Sequence, residues 1–279
     1  MISKSLRTKL RRKKYLLKWY LQFHFGKHLS YSNLQELKLT KDSKSLVLAP
    51  HADDEWIGAS QILLNTDASV FYFQFLGKNY NEANKSMRRK EIENVQKEIG
   101  FNLISAESKD DFDNLAKLIE NGNFDKIFLP FPIDWHPEHI KVNDILLSLF
   151  EKYPKLQQNK LYFYQISVPF PSGLYLEYRP MSKKDLNYKI QVFSKHYISQ
   201  FNTPITRMAY QLRLNAVKTK HYAVEAYASL DYKNWKKLLD YANKNYAEKL
   251  KPIAHHIDNL IDRKNIADEL FQEWQSFVK

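Results

Sequence analysis

The sequence predicts an α/β fold, a Rossmann-like and mainly parallel sheet flanked by helices, with a basic N-terminal helical arm. From residue 45 onward, short apolar runs typical of buried strands alternate with longer segments of helical apolar spacing. This alternation is typical of βαβ units, in which helices cover both faces of a parallel sheet. Hydrophobic residues make up 44% of the 279-residue chain, which is enough for one substantial core.

Strands and helices are predicted in alternating order between residues 45 and 166. The strands would cover residues 45–49, 70–76, 103–106, 126–131 and 161–166. The helices between them would cover residues 56–64, 82–99, 111–120 and 137–151. Gly100 follows the second helix as its C-terminal stop, and Pro137 occupies the first turn of the fourth, a position that proline favours.

The remainder of the chain is less regular. Residues 168–184 predict a long aromatic loop, which we interpret either as a wall of the substrate site or as an ordinary packed connection. Beyond Thr206 the pattern is helical to the end of the chain. The sequence therefore divides into an arm, residues 1–40, and one α/β domain, residues 41–279.

The composition limits the chemistry that the chain can perform. It has no cysteine, which excludes disulfides, thiolate zinc sites and cysteine nucleophiles. Its six glycines are too scattered to form a phosphate-binding loop or a dinucleotide fingerprint. Any bound metal must therefore be held by histidine and carboxylate side chains.

The basic charge is concentrated in the N-terminal arm. Nine of the twelve excess positive charges lie in residues 1–35, which contain no acidic residue. On a helix, Leu6, Leu10, Leu17 and Leu21 would share one face. A basic helix with an apolar side predicts peripheral contact with an anionic membrane. The alternatives are an arm that packs on the domain and a disordered tail.

The expected location of the protein is cytoplasmic, with the arm at the inner face of the membrane. The chain has no run of about 20 apolar residues, and the apolar residues 15–25 lack a small-residue cleavage site. Nucleic acid is the least favoured partner of the arm, because the remaining 244 residues carry a net charge of only +3 and no base-reading motif is present.

Chemistry-bearing residues directly follow two of the predicted strands. The first motif, after residues 45–49, is Pro50-His51-Ala52-Asp53-Asp54-Glu55. The second motif, after residues 126–131, is His136-Pro137-Glu138-His139. Open α/β sheets bind their ligands in crevices at the carboxyl ends of the strands, and parallel strands share that edge. The two motifs are therefore expected to address one point.

Together the motifs supply two imidazoles and a carboxylate for one metal, with an open position for water. This ligand set is a known arrangement in catalytic zinc sites. Zinc lowers the pKa of a bound water toward neutrality, a neighbouring carboxylate can act as general base, and a further histidine can stabilise an oxyanion. The alternative is that the acids are a solvated helix start and the histidines are surface residues.

Both motifs resemble the signatures of the PIG-L/LmbE-like zinc-dependent N-deacetylases. Residues 50–55 are similar to the first signature of that family and residues 136–139 to the second, while residues 88–91 resemble the helix between them. Residues 220–229 are similar to a weaker downstream pattern. The resemblance is specific over about residues 44–167, and it implies that residues 41–279 form a deacetylase domain.

The resemblance implies a zinc ion, or another divalent metal, bound by His51, Asp54 and His139. It also implies that the enzyme removes an N-acetyl group from an amino sugar, or from a lipid- or nucleotide-linked sugar, in glycan or glycoconjugate biosynthesis. The departures from the family pattern concern the substrate pocket and leave the zinc set untouched. Ala52 stands where the family usually has proline, and Asp134 and Trp135 differ from the expected residues before the second motif.

Further roles follow from the resemblance for the residues around this zinc set. Asp53 would be the general base, and His136 would stabilise the oxyanion. Arg88 would bind the substrate, and Glu138 would orient a neighbouring histidine. Two rival functions stay open, namely an amidohydrolase of the same fold that acts on a non-sugar amide, and a non-enzymatic basic binding protein.

Overall fold

The computed structural model describes residues 4–76, 81–106, 111–200 and 205–278, and the side chains of residues 10–76, 81–106, 111–200 and 205–277. In this part of the chain eight strands form one sheet: β1 Leu34–Glu36, β2 Lys44–Ala49, β3 Asp67–Tyr72, β4 Asn102–Ser105, β5 Lys126–Pro130, β6 Leu161–Tyr164, β7 Leu176–Met181 and β8 Ala223–Ser229. Their order across the sheet is β1-β7-β8-β6-β5-β2-β3-β4.

Neighbouring strands pair in parallel except where β8 is involved. β2 lies between β3 and β5, and Val47 is in register with Val70 on one side and with Phe128 on the other. β8 runs antiparallel to both of its neighbours, β6 and β7. The predicted α/β fold with a mainly parallel sheet is therefore confirmed.

Helices cover both faces of the sheet. Those of the described residues are α1 Lys4–Phe25, α2 Asp54–Asn65, α3 Glu82–Ile99, α4 Asp111–Gly122, α5 Pro137–Lys152, α6 Lys183–His196, α7 Ile205–Asn215, α8 Tyr232–Asn245 and α9 Leu260–Val278. In β2, Leu46 and Leu48 belong to the core beneath α5 and α8, whereas Val47 and Ala49 belong to the core beneath α2 and α3. Burial on both faces of the sheet explains why residues 46–49 of this strand are all apolar.

The predictions for the C-terminal half of the chain are corrected at two strands. β8 lies in the region beyond Thr206 that was predicted as helical throughout, and β7 lies inside the predicted loop of residues 168–184. β8 contains three alanines, which favour helices, but its burial between two strands decides its conformation. In β7, Pro180 obscures the strand pattern.

The aromatic segment before β7 packs into the domain. Val168, Phe170 and Leu174 are at most 6% exposed. Tyr31 donates a hydrogen bond to the carbonyl of Phe170 at 2.7 Å, and Ser172 donates one to Asp268 on α9 at 3.0 Å. The segment is therefore packed, and its role as a wall of the substrate site stays a prediction.

The N-terminal arm is a helix that is attached to the domain by its C-terminal half. Trp19 and Phe23 of α1 are buried, and α1 packs against α7 and α9. Gln22 accepts a hydrogen bond from the backbone N–H of Leu260 at 3.0 Å. β1, which also lies within residues 1–40, pairs with β7 at the edge of the sheet. The division at residue 40 remains a prediction.

The side of α1 that faces away from the domain is apolar and exposed. Leu10, Leu17 and Leu21 are 52%, 58% and 44% exposed. The side chain of Leu6, predicted to share this face, lies outside the described residues. Among the helices of the described residues, none is long and apolar enough to cross a bilayer.

Helix α2 is fixed against the sheet by a close approach at Gly58. A Cβ atom at this position would lie 2.2 Å from the ring of Tyr164 on β6, which no side chain can tolerate. The Tyr164 hydroxyl in turn donates a hydrogen bond to the carbonyl of Leu48 at 2.7 Å. This contact sets the position of the loop between β2 and α2, and that loop carries the first motif.

A buried ion pair fixes the middle of α2. The Lys189 ammonium of α6 and the Glu225 carboxylate of β8 are 1% and 0% exposed and bond directly to each other. Glu225 also accepts hydrogen bonds from Ser60, from the backbone N–H of Gln61 and from Tyr227. Helix α2 is interrupted at Ala59, where φ is −139°. The Glu225 carboxylate thus provides an acceptor for the backbone N–H group of Gln61, two residues after this interruption.

We expect Glu225→Gln to lower the free energy of unfolding by about 3 kcal/mol, because it leaves the buried Lys189 without its counter-charge. Urea unfolding of the full chain measures this change. Glu151→Gln is the matched control, since its partner Lys236 lies in an exposed ion pair. The control should unfold like the wild type, and equal changes in the two variants would contradict the structural role of Glu225.

Candidate metal and catalytic centre

The first motif forms the loop between β2 and α2. Asp54 is the first residue of α2 and is buried. Its Oδ2 accepts a hydrogen bond from the backbone N–H of His51 at 3.0 Å and lies 2.9 Å from His51 Nδ1. One carboxylate oxygen therefore holds both the backbone and the imidazole of His51.

The second motif forms the start of α5 after β5. His136 is the N-cap of this helix, and its Nδ1 accepts a hydrogen bond from the backbone N–H of Glu138 at 3.4 Å. His139 lies in the first turn and is 2% exposed. Because β2 and β5 are parallel neighbours, their two loops emerge at the same edge of the sheet.

The two motifs meet at this edge, as the sequence predicts. The ring centroids of His51 and His136 are 4.5 Å apart, those of His136 and His139 are 4.9 Å apart, and those of His51 and His139 are 5.4 Å apart. One ligand atom of each of the three imidazoles lies within 4.8 Å of the others. His139 Nε2 is also 3.5 Å from Asp54 Oδ2.

The donor set fits a divalent metal. Ligand atoms about 2.1 Å from a tetrahedral zinc ion lie about 3.4 Å from one another. The distances from Asp54 Oδ2 to His139 Nε2 and to His51 Nδ1, 3.5 and 2.9 Å, are close to that value. The three imidazoles of His51, His136 and His139 form a group close enough to hold one ion, and Asp54 is the alternative third ligand because its Oδ2 lies near nitrogens of His51 and His139.

The electrostatics of the centre favour a cation. Burial acts to lower the pKa of His139, but the Asp134 and Asp54 carboxylates beside it raise this pKa to about 10. The imidazole thus retains a proton strongly because two buried carboxylates surround it. A pocket that stabilises one positive charge in this way is also suited to a metal ion.

His136 differs from the other two histidines in its electrostatics. Burial, together with the neighbouring His139 and His51, lowers the pKa of His136 to about 4. The imidazole is therefore neutral at pH 7. Because Nδ1 accepts the backbone N–H of Glu138, the ring hydrogen is assigned to Nε2, which leaves a donor on a side chain that is 28% exposed.

Two carboxylates contact the histidines from outside the donor set. Glu138 Oε2 lies 2.7 Å from His51 Nε2, a contact of the kind that the sequence predicts for this residue. Asp134 Oδ2 lies 3.2 Å from His139 Nδ1, and Asp134 Oδ1 accepts a hydrogen bond from the backbone N–H of His136 at 2.9 Å. The hydrogen bond to Glu138 is of the kind that fixes the orientation of a metal-binding imidazole, whereas the contact of His139 Nδ1 with Asp134 lacks hydrogen-bond geometry.

Asp134 belongs to this centre, but the sequence motifs predict no role for it. In the sequence it is only a departure from the family pattern. A carboxylate two residues before the first histidine of the second motif was the available signal. Its burial, 3% exposed, and its hydrogen bond to the backbone N–H of Ser167 tie it to the loop after β6 as well.

Asp53 has an unusual backbone conformation, with φ at 135°, that other buried groups support. Its backbone N–H donates to Glu55 at 3.1 Å, and its Oδ1 lies 3.3 Å from the Arg88 guanidinium. Burial raises the pKa of Asp53 to about 7, although Arg88 acts in the opposite direction. Backbone strain of this kind is concentrated at functional sites.

Arg88 lies beside Asp53 rather than in open solvent. It is 7% exposed, and its guanidinium also contacts Glu91 at 3.4 Å and Ser199 at 3.1 Å. An open groove of about 830 Å³ begins next to it, lined by Glu91, Ser199 and other residues of α3 and 196–199. The predicted contact of Arg88 with a substrate remains a prediction.

Solved structures share this fold. The zinc-inhibited form of teicoplanin deacetylase Orf2 aligns with 68% of this chain and 100% of its own, at 14% sequence identity and a TM-score of 0.51. A conserved protein from Thermus thermophilus aligns with 66% of this chain and 93% of its own, at 19% identity and a TM-score of 0.52. The A40926 pseudoaglycone deacetylase Dbv21 aligns with 68% of this chain and 98% of its own, at 16% identity and a TM-score of 0.51.

Similarity at the level of sequence is much weaker. No family model matches the chain, and no curated protein matches it. At identities below 20% the solved structures show a common fold.

Proposed function

We propose that this protein is a metal-dependent hydrolase that removes an N-acetyl group from an amino sugar or a sugar conjugate. The observation that carries the proposal is the meeting of His51, Asp54 and His139 at one sheet edge, with Asp54 Oδ2 2.9 and 3.5 Å from the two imidazole nitrogens. The comparisons support it, since neighbours in fold are deacetylases and one is solved in complex with teicoplanin.

In this proposal His51, Asp54 and His139 hold a zinc ion or another divalent cation. Asp54 is preferred over His136 as the third ligand because Nδ1 of His136 is already an acceptor for the α5 backbone. When bound, zinc supplies a Lewis acid that makes water acidic near neutral pH. Glu138 orients His51 through the contact at 2.7 Å, and Asp134 lies 3.2 Å from His139.

The remaining polar side chains move or stabilise charge. Asp53 accepts the proton of the attacking water as general base, and Arg88 holds this carboxylate in place while its other contacts face the groove. His136 is neutral, and its Nε2–H donates to the oxygen that becomes negative when the amide carbonyl is attacked. Arg88 is the candidate for contact with the substrate.

Release of acetate from N-acetylated sugars tests this function. We expect the metal-loaded protein to release acetate from at least one member of a panel of N-acetylhexosamines and their lipid- or nucleotide-linked forms. Chelator-treated protein should lose this activity, and zinc should restore it. Cleavage of a plain peptide amide with no release from any sugar would instead favour the rival amidohydrolase, and no metal-dependent hydrolysis at all would favour the basic binding protein.

We also propose that α1 attaches the enzyme to an anionic membrane surface, where a lipid-linked substrate would be held. Leu10, Leu17 and Leu21 face away from the domain and are 44–58% exposed, whereas Trp19 on the opposite side is buried. The cations Arg11, Arg12, Lys13, Lys14 and Lys18 lie on the same helix and are exposed. Such a helix can lie in the headgroup region, with each cation adding on the order of 1 kcal/mol near an anionic leaflet.

Sedimentation with phosphatidylglycerol-containing vesicles measures this attachment. We expect the double substitution Leu17→Gln and Leu21→Gln to weaken vesicle partitioning at least about tenfold, because it removes two apolar side chains from the interface. Phe277→Gln, an exposed residue on α9, is the matched control and should partition like the wild type. Equal binding of wild type to neutral and anionic vesicles would contradict the proposal.

A further inference from the structure

Two buried arginines lie behind the catalytic centre. Arg207 on α7 is 3% exposed and Arg263 on α9 is 1% exposed. Arg207 Nη1 donates a hydrogen bond to the carbonyl of Ile257 at 2.7 Å. Ile257 lies in the segment just before α9, the helix that carries Arg263. Arginine keeps its positive charge in proteins, so burial cannot be relieved by loss of a proton.

Acidic side chains lie near these two arginines, but among the described residues none forms a hydrogen bond with either guanidinium. Arg207 lies 3.7 Å from Asp258, whose side chain is 39% exposed. Arg263 donates to the carbonyl of Ser167, and among the described residues no carboxylate lies within 4.0 Å of it. Nε of both arginines and Nη2 of Arg263 are buried without a hydrogen-bond partner in the described part of the chain.

The pKa directions agree with this geometry. Burial lowers the pKa of Arg263 well below its usual range, and the positive charge of Arg207 lowers it further. Burial also lowers the pKa of Arg207, to about 10. Asp134 and Asp258 act to raise the pKa of Arg263, and Asp258 acts to raise that of Arg207, but burial outweighs these acids in both cases.

Neighbouring loops add further donors without acceptors. Trp135 Nε1 after β5 and Gln165 Nε2 after β6 are also buried without a hydrogen-bond partner among the described residues. Asp134 is the nearby acid on these loops, but its two oxygens already accept the backbone N–H groups of His136 and Ser167. The two arginines and these loops together hold five buried donor nitrogens without a hydrogen-bond partner among the described residues.

We propose that Arg207 and Arg263 bind a small oxyanion, a phosphate or a carboxylate group, enclosed between α7, α9 and the loop after β6. A buried charge without a hydrogen-bonded counter-charge destabilises the fold, and two guanidinium groups that share an anion offset this cost while satisfying their N–H donors. Because both side chains are at most 3% exposed, the ligand is limited to a small group. This inference does not depend on the deacetylase activity.

The anion site would connect to the catalytic centre through one residue. Ser167 accepts from Arg263 with its carbonyl and donates its backbone N–H to Asp134 at 3.4 Å. Asp134 in turn lies 3.2 Å from His139. An occupied site would therefore hold the loop after β6 in the position that supports His139.

Titration of the full-length protein with inorganic phosphate, followed by ³¹P NMR, tests the site directly. We expect the wild type to bind about one equivalent, and Arg263→Met and Arg207→Met to bind at least tenfold more weakly. Arg12→Met on α1 is the control for phosphate held by surface arginines, and it should bind like the wild type. Competition by acetate, measured in the same samples, distinguishes a site that also accepts carboxylates from one specific for phosphate.

Two results would overturn the proposal. The first is that the wild type binds neither phosphate nor acetate. The second is that Arg263→Met, Arg207→Met and Arg12→Met all bind phosphate as the wild type does. Should Arg263→Met or Arg207→Met fail to fold, Arg207→Lys keeps the charge but removes donors, and we expect it to weaken phosphate binding at least several-fold.

Discussion

Asp53→Asn is expected to retain the bound metal and to lose about 10²–10⁴ of the rate of amide hydrolysis, the usual effect of removing a general base. Asparagine tolerates positive φ better than most residues, so the 135° backbone angle at this position should be preserved. Arg88 keeps its contacts with Glu91 and Ser199 in this variant. The fold should therefore survive, and the loss should be in kcat.

Elemental analysis together with initial rates of acetate release measures this prediction. Asp54→Asn serves as the comparison, because the same chemical change one residue further along removes a proposed ligand. It should lose metal and activity together. If Asp53→Asn loses its metal while Asp54→Asn keeps it, the roles of the two acids are exchanged.

His139→Ala is expected to weaken metal binding by more than about 100-fold. Removing a residue that only hydrogen-bonds to a metal ligand lowers metal affinity by about 10–100-fold, and this change removes a proposed ligand itself. His139 is 2% exposed, and its Nε2 lies 3.5 Å from Asp54 Oδ2. Catalytic activity should fall with the metal content. A chelator competition assay on the full-length protein gives the affinity.

His136→Ala is the matched variant for this experiment, because it removes an imidazole one helical turn away. In our assignment it keeps the metal and loses activity, since His136 is neutral and donates from Nε2. The three imidazoles are close enough for the other ligand set. Loss of metal from His136→Ala with retention by Asp54→Asn would establish that set instead.

Much of the centre was predictable because it depends on strand periodicity and on local motifs. Residues 46–49 and 127–131 are continuous apolar runs, and the parallel pairing of β2 with β5 brings the motifs after them to one edge. The helix predicted at 82–99 has those bounds in the structure. Its buried face delivers Arg88 to Asp53.

Features that depend on distant packing were not predictable from the sequence. The alanines of β8 favour a helix, and only burial between β6 and β7 makes this segment a strand. The pairing of Lys189 with Glu225 joins residues 36 positions apart inside the core. The role of Asp134 likewise becomes visible only when its contacts with His139 and Ser167 are known.

Anomalous diffraction at the zinc edge, from crystals of the full-length protein purified in the presence of zinc, tests the central assignment most directly. We predict a single strong peak within bonding distance of His51, Asp54 and His139, with Asp53 and His136 nearby but not bonded to it. A peak bonded to His136 in place of Asp54 would contradict the ligand assignment. A fully ordered centre with no peak would contradict the metal-dependent hydrolase itself.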